Sequence, residues 1–175
     1  MTHTTTELPE APDESLLISP KPEDFRLVRI ELEQLEAAWP AIKQSLEGSM
    51  PVRTPEAEST FAAILTAIQA RGIVPWVVRT DKDIFAIMTT VKKADEISGH
   101  FFLMIYSLYA MPGMVMPLRV WVDSFKKLSK YAASLGCESV IMETSSEEVA
   151  HLAKRIHPQA DIETRVIMMP LVEED

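Results

Sequence analysis

Phe101-Phe102-Leu103-Met104-Ile105-Tyr106-Ser107-Leu108-Tyr109 is the stretch on which the fold turns. Only Ser107 interrupts its apolar and aromatic side chains. A sheet with one wet face would show polar residues at every second position, so this run predicts a central strand covered on both sides. Downstream, Leu118, Trp121, Phe125, Leu128, Ala132 and Leu135 recur at intervals of three and four up to Gly136, which predicts the longest helix of the chain. Ser139-Val140-Ile141-Met142-Glu143-Thr144 reads as a further strand. Ser145-Ser146-Glu147-Glu148 then starts a short helix through Val149, Leu152 and Ile156, closed by Pro158. Residues 162–171 read as the last strand, and Val172-Glu173-Glu174-Asp175 as a solvated end.

Upstream, residues 73–79 and 84–91 predict two strands joined by the polar turn Thr80-Asp81-Lys82-Asp83, hence an antiparallel pair. Before them, Thr54-Pro55-Glu56-Ala57-Glu58 combines an N-cap residue, a first-position proline and early acids, which opens a helix. That helix carries Phe61, Ile64, Leu65 and Ile68 on one face and stops at Arg71-Gly72. An earlier helix is spelled by Leu32, Leu35, Trp39, Ile42 and Leu46, with Pro40 expected to kink or divide it and Gly48 and Pro51 to end it. Phe25-Arg26-Leu27-Val28-Arg29-Ile30 alternates as a strand. The expected order is β, α, α, β, β, β, α, β, α, β: an α/β (α+β) domain over residues 23–172, preceded by a flexible arm rich in Pro, Thr and acids over residues 1–22.

The 175 residues, 47% hydrophobic and 25% charged, have the composition of a globule that builds its core by packing. A net charge of −9 argues against nucleic acid, whose phosphates are met by Lys and Arg. Cys137 is the single cysteine, so no internal disulfide is expected. His3, His100 and His151 show no ligand spacing, and no metal is expected. The first residues show neither a basic region nor an apolar core of a secretory signal, and the run from Phe101 to Met116 is broken by Ser107, Pro112 and Gly113. The setting expected is therefore reducing, cytoplasmic and away from the membrane.

This element order, with Ser107-Leu108-Tyr109, the helix tail Leu128-Ser129-Lys130-Tyr131-Ala132-Ala133-Ser134-Leu135-Gly136-Cys137 and the strand Val140-Ile141-Met142-Glu143-Thr144, resembles the GNAT N-acetyltransferase family over residues 24–171. The resemblance implies a mixed, mostly antiparallel central sheet flanked by helices. It also implies that the strand 101–109 splays from its neighbour to admit the pantetheine arm of acetyl-CoA. The pyrophosphate would sit on the next helix's N-terminus, where free N–H groups and the dipole favour an anion. By that resemblance Leu108, Tyr109, Gly113, Met114, Val115 and Arg119 are the cofactor-binding candidates. Glu143 and Tyr109 are the catalytic ones, the first as general base for an amine. Leu35-Glu36-Ala37-Ala38-Trp39-Pro40-Ala41-Ile42 and Pro75-Trp76-Val77-Val78 further resemble acetyltransferase-like proteins encoded by phages near their virion genes.

The sequence departs from the family where the chemistry is done. Active members carry spaced glycines in the phosphate loop, whereas 111–117 reads Met-Pro-Gly-Met-Val-Met-Pro, with one glycine, two prolines that lack an N–H, and three methionines suited to an adaptable apolar contact. The tyrosine that protonates the thiolate is replaced by Ala153, with His157 nearby as a substitute donor. The expectation is a degenerate GNAT fold with no cofactor and a protein partner, such as a second copy or virion proteins. The alternative is a divergent N-acetyltransferase using acetyl-CoA through strand 101–109 and Arg119. Cys137, opening a strand, is expected to be buried and inert.

Overall fold

The structure is a computed structural model, and it describes residues 20–49, 57–144 and 146–160. Its centre is a five-stranded sheet in the order β1 (Arg26–Arg29), β2 (Ile73–Arg79), β3 (Ile84–Ala94), β4 (Phe101–Ala110) and β5 (Ser139–Met142). The first four strands pair antiparallel and β5 joins β4 in parallel. Four helices accompany the sheet: α1 (Leu35–Ser49), α2 (Ala57–Gln69), α3 (Leu118–Ser134) and α4 (Glu147–Ile156). The expected mixed, mostly antiparallel sheet flanked by helices is what forms. The final strand expected at 162–171, the helix start at Thr54-Pro55 and residues 1–19 of the arm lie outside the described residues.

Strand periodicity sorts the sheet's side chains into two layers. Trp76, Val78, Ala86, Met88 and Leu103 pack with Val120, Leu128 and Ala132 of α3. Val77 and Ile87, one position out of phase, pack with Ile42 and Leu46 of α1 and Phe61, Ile64 and Ile68 of α2. The strands covered on both faces are β2, buried without a break over residues 75–78, and β3, over residues 85–90. In β4, where the sequence led us to expect such cover, only Leu103 and Ser107 are buried. Within β3 the polar side chains are satisfied internally: the hydroxyls of Thr89 and Ser107 lie 2.7 Å apart, and Trp76 Nε1 donates to Thr90 Oγ1 at 3.0 Å. The sheet edge at β1 is tied down by Lys127, whose ammonium donates to the Leu27 carbonyl at 2.7 Å.

Pro40 does not divide α1; the helix is assigned continuously through it, after a 3-10 turn at Leu32–Gln34. Pro40 lies on the exposed side, where water meets the carbonyl left without its amide. The β3–β4 hairpin is longer than expected and projects beyond β2, which pairs with β3 only as far as Val91. Asp95 organises its tip: the carboxylate accepts from the amides of Ile97 (3.0 Å) and Ser98 (2.7 Å) and from the Ser98 hydroxyl (2.9 Å). These bonds, the Ser98 amide first, hold the Asp95 carboxyl below the usual carboxylate range.

Candidate functional site

β4 and β5 pair from Phe102↔Ser139 to Ile105↔Met142, and there the pairing stops, while β4 runs on to Ala110. The strands part at a bulge. On the β3 side, Thr89 faces Ser107 and Thr90 faces Ile105, so Tyr106 is the extra residue. An extra residue moves every following side chain to the opposite face. Leu108 thereby joins the α3 layer and Tyr109 turns to the α1 layer. The Tyr109 ring lies against Gly48, so close that a Cβ there would stand 2.1 Å from Cε2. The two adjacent candidates thus sit on opposite sides of the sheet.

On the α3 side the parted strands border a cavity of about 820 Å³ between β4, β5, α3 and α4. Its walls are apolar, with Ile105, Leu108, Trp121, Leu128, Val140 and Leu152 among them. The candidates Leu108 and Glu143 both line it, Glu143 as an exposed carboxylate one residue past the end of β5. Ala153 and His157 line it too, from α4 and its C-cap. The His157 ring meets Phe125 edge-on, with centroids 5.9 Å apart. Cys137 contributes to the wall and is half-buried, more open than expected. Its amide donates to the Ala132 carbonyl (3.0 Å) and that of Gly136, at φ +72°, to Ala133 (3.0 Å), a Schellman end to α3.

Gly113, Met114, Val115 and Arg119 are not in that wall among the described residues. In the loop 111–117, two amides are bonded to carbonyls and two positions are prolines. The Met111 amide donates to the Phe85 carbonyl at 2.9 Å and the Met114 amide to the Met111 carbonyl at 3.1 Å, while Pro112 and Pro117 have none. Proline followed by Gly113 at φ +76° within that bond is the pattern of a type II turn, so the single glycine serves the turn. Met114 and Val115 project outward, Val115 being 85% exposed. Arg119 is exposed as well, with Nε 3.7 Å from Asp123 Oδ2 on the next turn of α3. Pro117 stands at the N-cap of α3, where no side chain caps the first turn and no acid lies in it.

Sequence reasoning passed over Ser124. The ladder that α3 buries is Val120, Ser124, Leu128 and Ala132, flanked rather than formed by Trp121 and Phe125. A serine three residues after Trp121 and four before Leu128 falls on the apolar stripe, and that position was the available signal. Among the described residues no three His, Cys, Asp or Glu side chains gather as a metal site, and no helix is long and apolar enough to cross a membrane.

The fold is that of the GNAT acetyltransferases. A protein from Clostridium acetobutylicum described as a predicted acetyltransferase, solved with acetyl-CoA, superposes with a TM-score of 0.64 at 12% identity, over 86% of this chain and 98% of its own. An acetyltransferase of Trypanosoma brucei gives 0.59 at 18% identity over 85% and 100%. Glucosamine-6-phosphate N-acetyltransferase of Arabidopsis thaliana gives 0.54 at 14% over 86% and 99%. At these identities the likeness is one of fold, and it lends no support to the phage resemblance. No protein-family profile matches the chain, and no curated protein matches it by sequence.

Proposed function

We propose that this chain is a GNAT-fold binding protein that keeps the parted strands of the fold and does not transfer acetyl groups. The observation that carries this reading is the loop 111–117. Two of its positions are prolines, and the Met111 and Met114 amides are already bonded to carbonyls, so the longest run of unbonded N–H groups left in it is the pair Val115-Met116, bounded by Pro117, which is short for surrounding a pyrophosphate. Arg119, the one cation offered for the phosphate, faces solvent beside Asp123. Acetyl-CoA therefore does not fit the residues present. Ala153 at the position of the family's acid supports the same reading. The exposed Met114 and Val115 support contact with a protein partner at the loop.

A divergent acetyl-CoA-dependent N-acetyltransferase is favoured by one observation: β4 and β5 part beside an apolar cavity near a helix N-terminus that no side chain caps. Calorimetric titration with acetyl-CoA separates the two. The binding reading expects no saturable heat up to about 1 mM cofactor, equivalent to less than about 4 kcal/mol of affinity. A micromolar complex weakened by Arg119→Ala would replace it with the enzyme reading.

A further inference from the structure

The cavity between α3, α4 and the parted strands has a lining whose charge and polarity restrict what can enter it. Glu138, Glu143 and Glu147 stand around it, and no Lys or Arg is among its described lining residues. Glu138 is engaged by the His100 imidazole and His157 is the one basic side chain of the described lining, so an anion, whether phosphate, sulfonate or carboxylate, meets Glu143 and Glu147 there with no Lys or Arg to receive it. Ser129, Ser139, Thr144 and Ser146 also line it, but Ser124 is the one buried hydroxyl residue of the described lining. Ser124 is 6% exposed, on the buried ladder of α3, and its side chain makes no hydrogen bond among the described residues. Helical serines and threonines usually back-bond to a carbonyl of the preceding turn, as Ser49 does to Ser45 (2.7 Å) and Thr66 to Ala62 (2.9 Å). Ser124 does not, and no fully enclosed side-chain polar atom of the described residues lacks a partner, so its hydroxyl faces the open space of the cavity.

We propose that this cavity binds a neutral, mainly apolar small molecule carrying one hydrogen-bonding group, and that Ser124 receives that group. A volume of about 820 Å³ falls within the range of sites that enclose a small organic ligand. Apolar walls supply the affinity, the buried hydroxyl gains a partner it otherwise lacks, and the glutamates exclude charged analogues of the same body. The inference rests on the reading of the chain as a binding protein and names the class of its ligand.

N-phenyl-1-naphthylamine and 8-anilino-1-naphthalenesulfonate test it as a matched pair, since they share one anilinonaphthalene body and differ in a sulfonate. Fluorescence titration of the full chain is expected to show one neutral probe bound per chain, at least about tenfold more tightly than the sulfonate, or about 1.4 kcal/mol. Ser124→Ala is expected to weaken the neutral probe about two- to tenfold, the range of one hydrogen bond. Ala153→Trp, which fills the wall from α4, is expected to abolish binding, with circular dichroism reporting the fold. Sulfonate binding as tight as the neutral probe, no neutral binding, or binding indifferent to Ser124→Ala would each overturn the proposal. Displacement of the neutral probe by acetyl-CoA would overturn the non-catalytic reading and the exclusion of anions together, whereas the sulfonate comparison tests the ligand class by itself.

Discussion

Gly48 decides what Tyr109 can do. A glycine near the end of a helix is ordinarily replaceable by alanine with a gain of up to about 1 kcal/mol in helix propensity. Here the added Cβ would stand 2.1 Å from Tyr109 Cε2 and 2.6 Å from Cδ2, and the ring is rigid. Gly48→Ala is therefore expected to destabilise the fold by about 1–3 kcal/mol, read from the urea midpoint, because overpacking outweighs propensity. Adding Tyr109→Leu to Gly48→Ala is expected to recover most of the loss, a coupling that distant sites would not show. The same contact removes Tyr109 from the cavity that Leu108 and Glu143 share. Nothing in the local sequence announces this, since the face of residues 107–110 depends on a bulge at Tyr106, and a one-residue slip inverts the alternation.

Elements were more legible than faces. The bounds of β2, the starts of β3, β4 and α3, and the antiparallel hairpin at 80–83 follow from punctuation and period alone, because Gly, Pro and polar turns act locally. Burial of β4 was misjudged for a tertiary reason: cover depends on which helices reach a strand, and both layers converge on β2 and β3. Helix ends carry a testable asymmetry. α2 and α3 both close with Schellman bonds, but Gly136 occupies the left-handed position after α3, whereas Arg71 at φ 59° occupies it after α2, with Gly72 one residue later. A side chain in that conformation costs about 1 kcal/mol relative to glycine. Arg71→Gly is accordingly expected to raise stability by about that amount in a thermal melt, and a lowered midpoint would show that the Arg71 side chain earns its strain elsewhere.

Across the molecule, one arrangement survives while another is altered. The sheet and the parting of β4 from β5 at Ile105 and Met142 reproduce what the family resemblance implied, and the bulge at Tyr106 is a finding of the structure. The loop 111–117 folds into a type II turn with the Met111 and Met114 amides bonded to carbonyls, and Arg119 faces water. The loop's composition was readable in the sequence as two prolines and a single glycine, because it is a property of backbone donors. The buried place of Ser124, without a hydrogen-bond partner among the described residues, was not, because it exists only once α3 is seated on the sheet. The central claim is that phosphate recognition is gone, and it is tested most directly by comparing acetyl-CoA with S-acetylpantetheine, which keeps the thioester arm and lacks the nucleotide and its phosphates. The account predicts that calorimetry finds acetyl-CoA no tighter than the phosphate-free compound at low salt. Acetyl-CoA bound tenfold or more tightly, an advantage of at least about 1.4 kcal/mol from the phosphates and nucleotide, would contradict it.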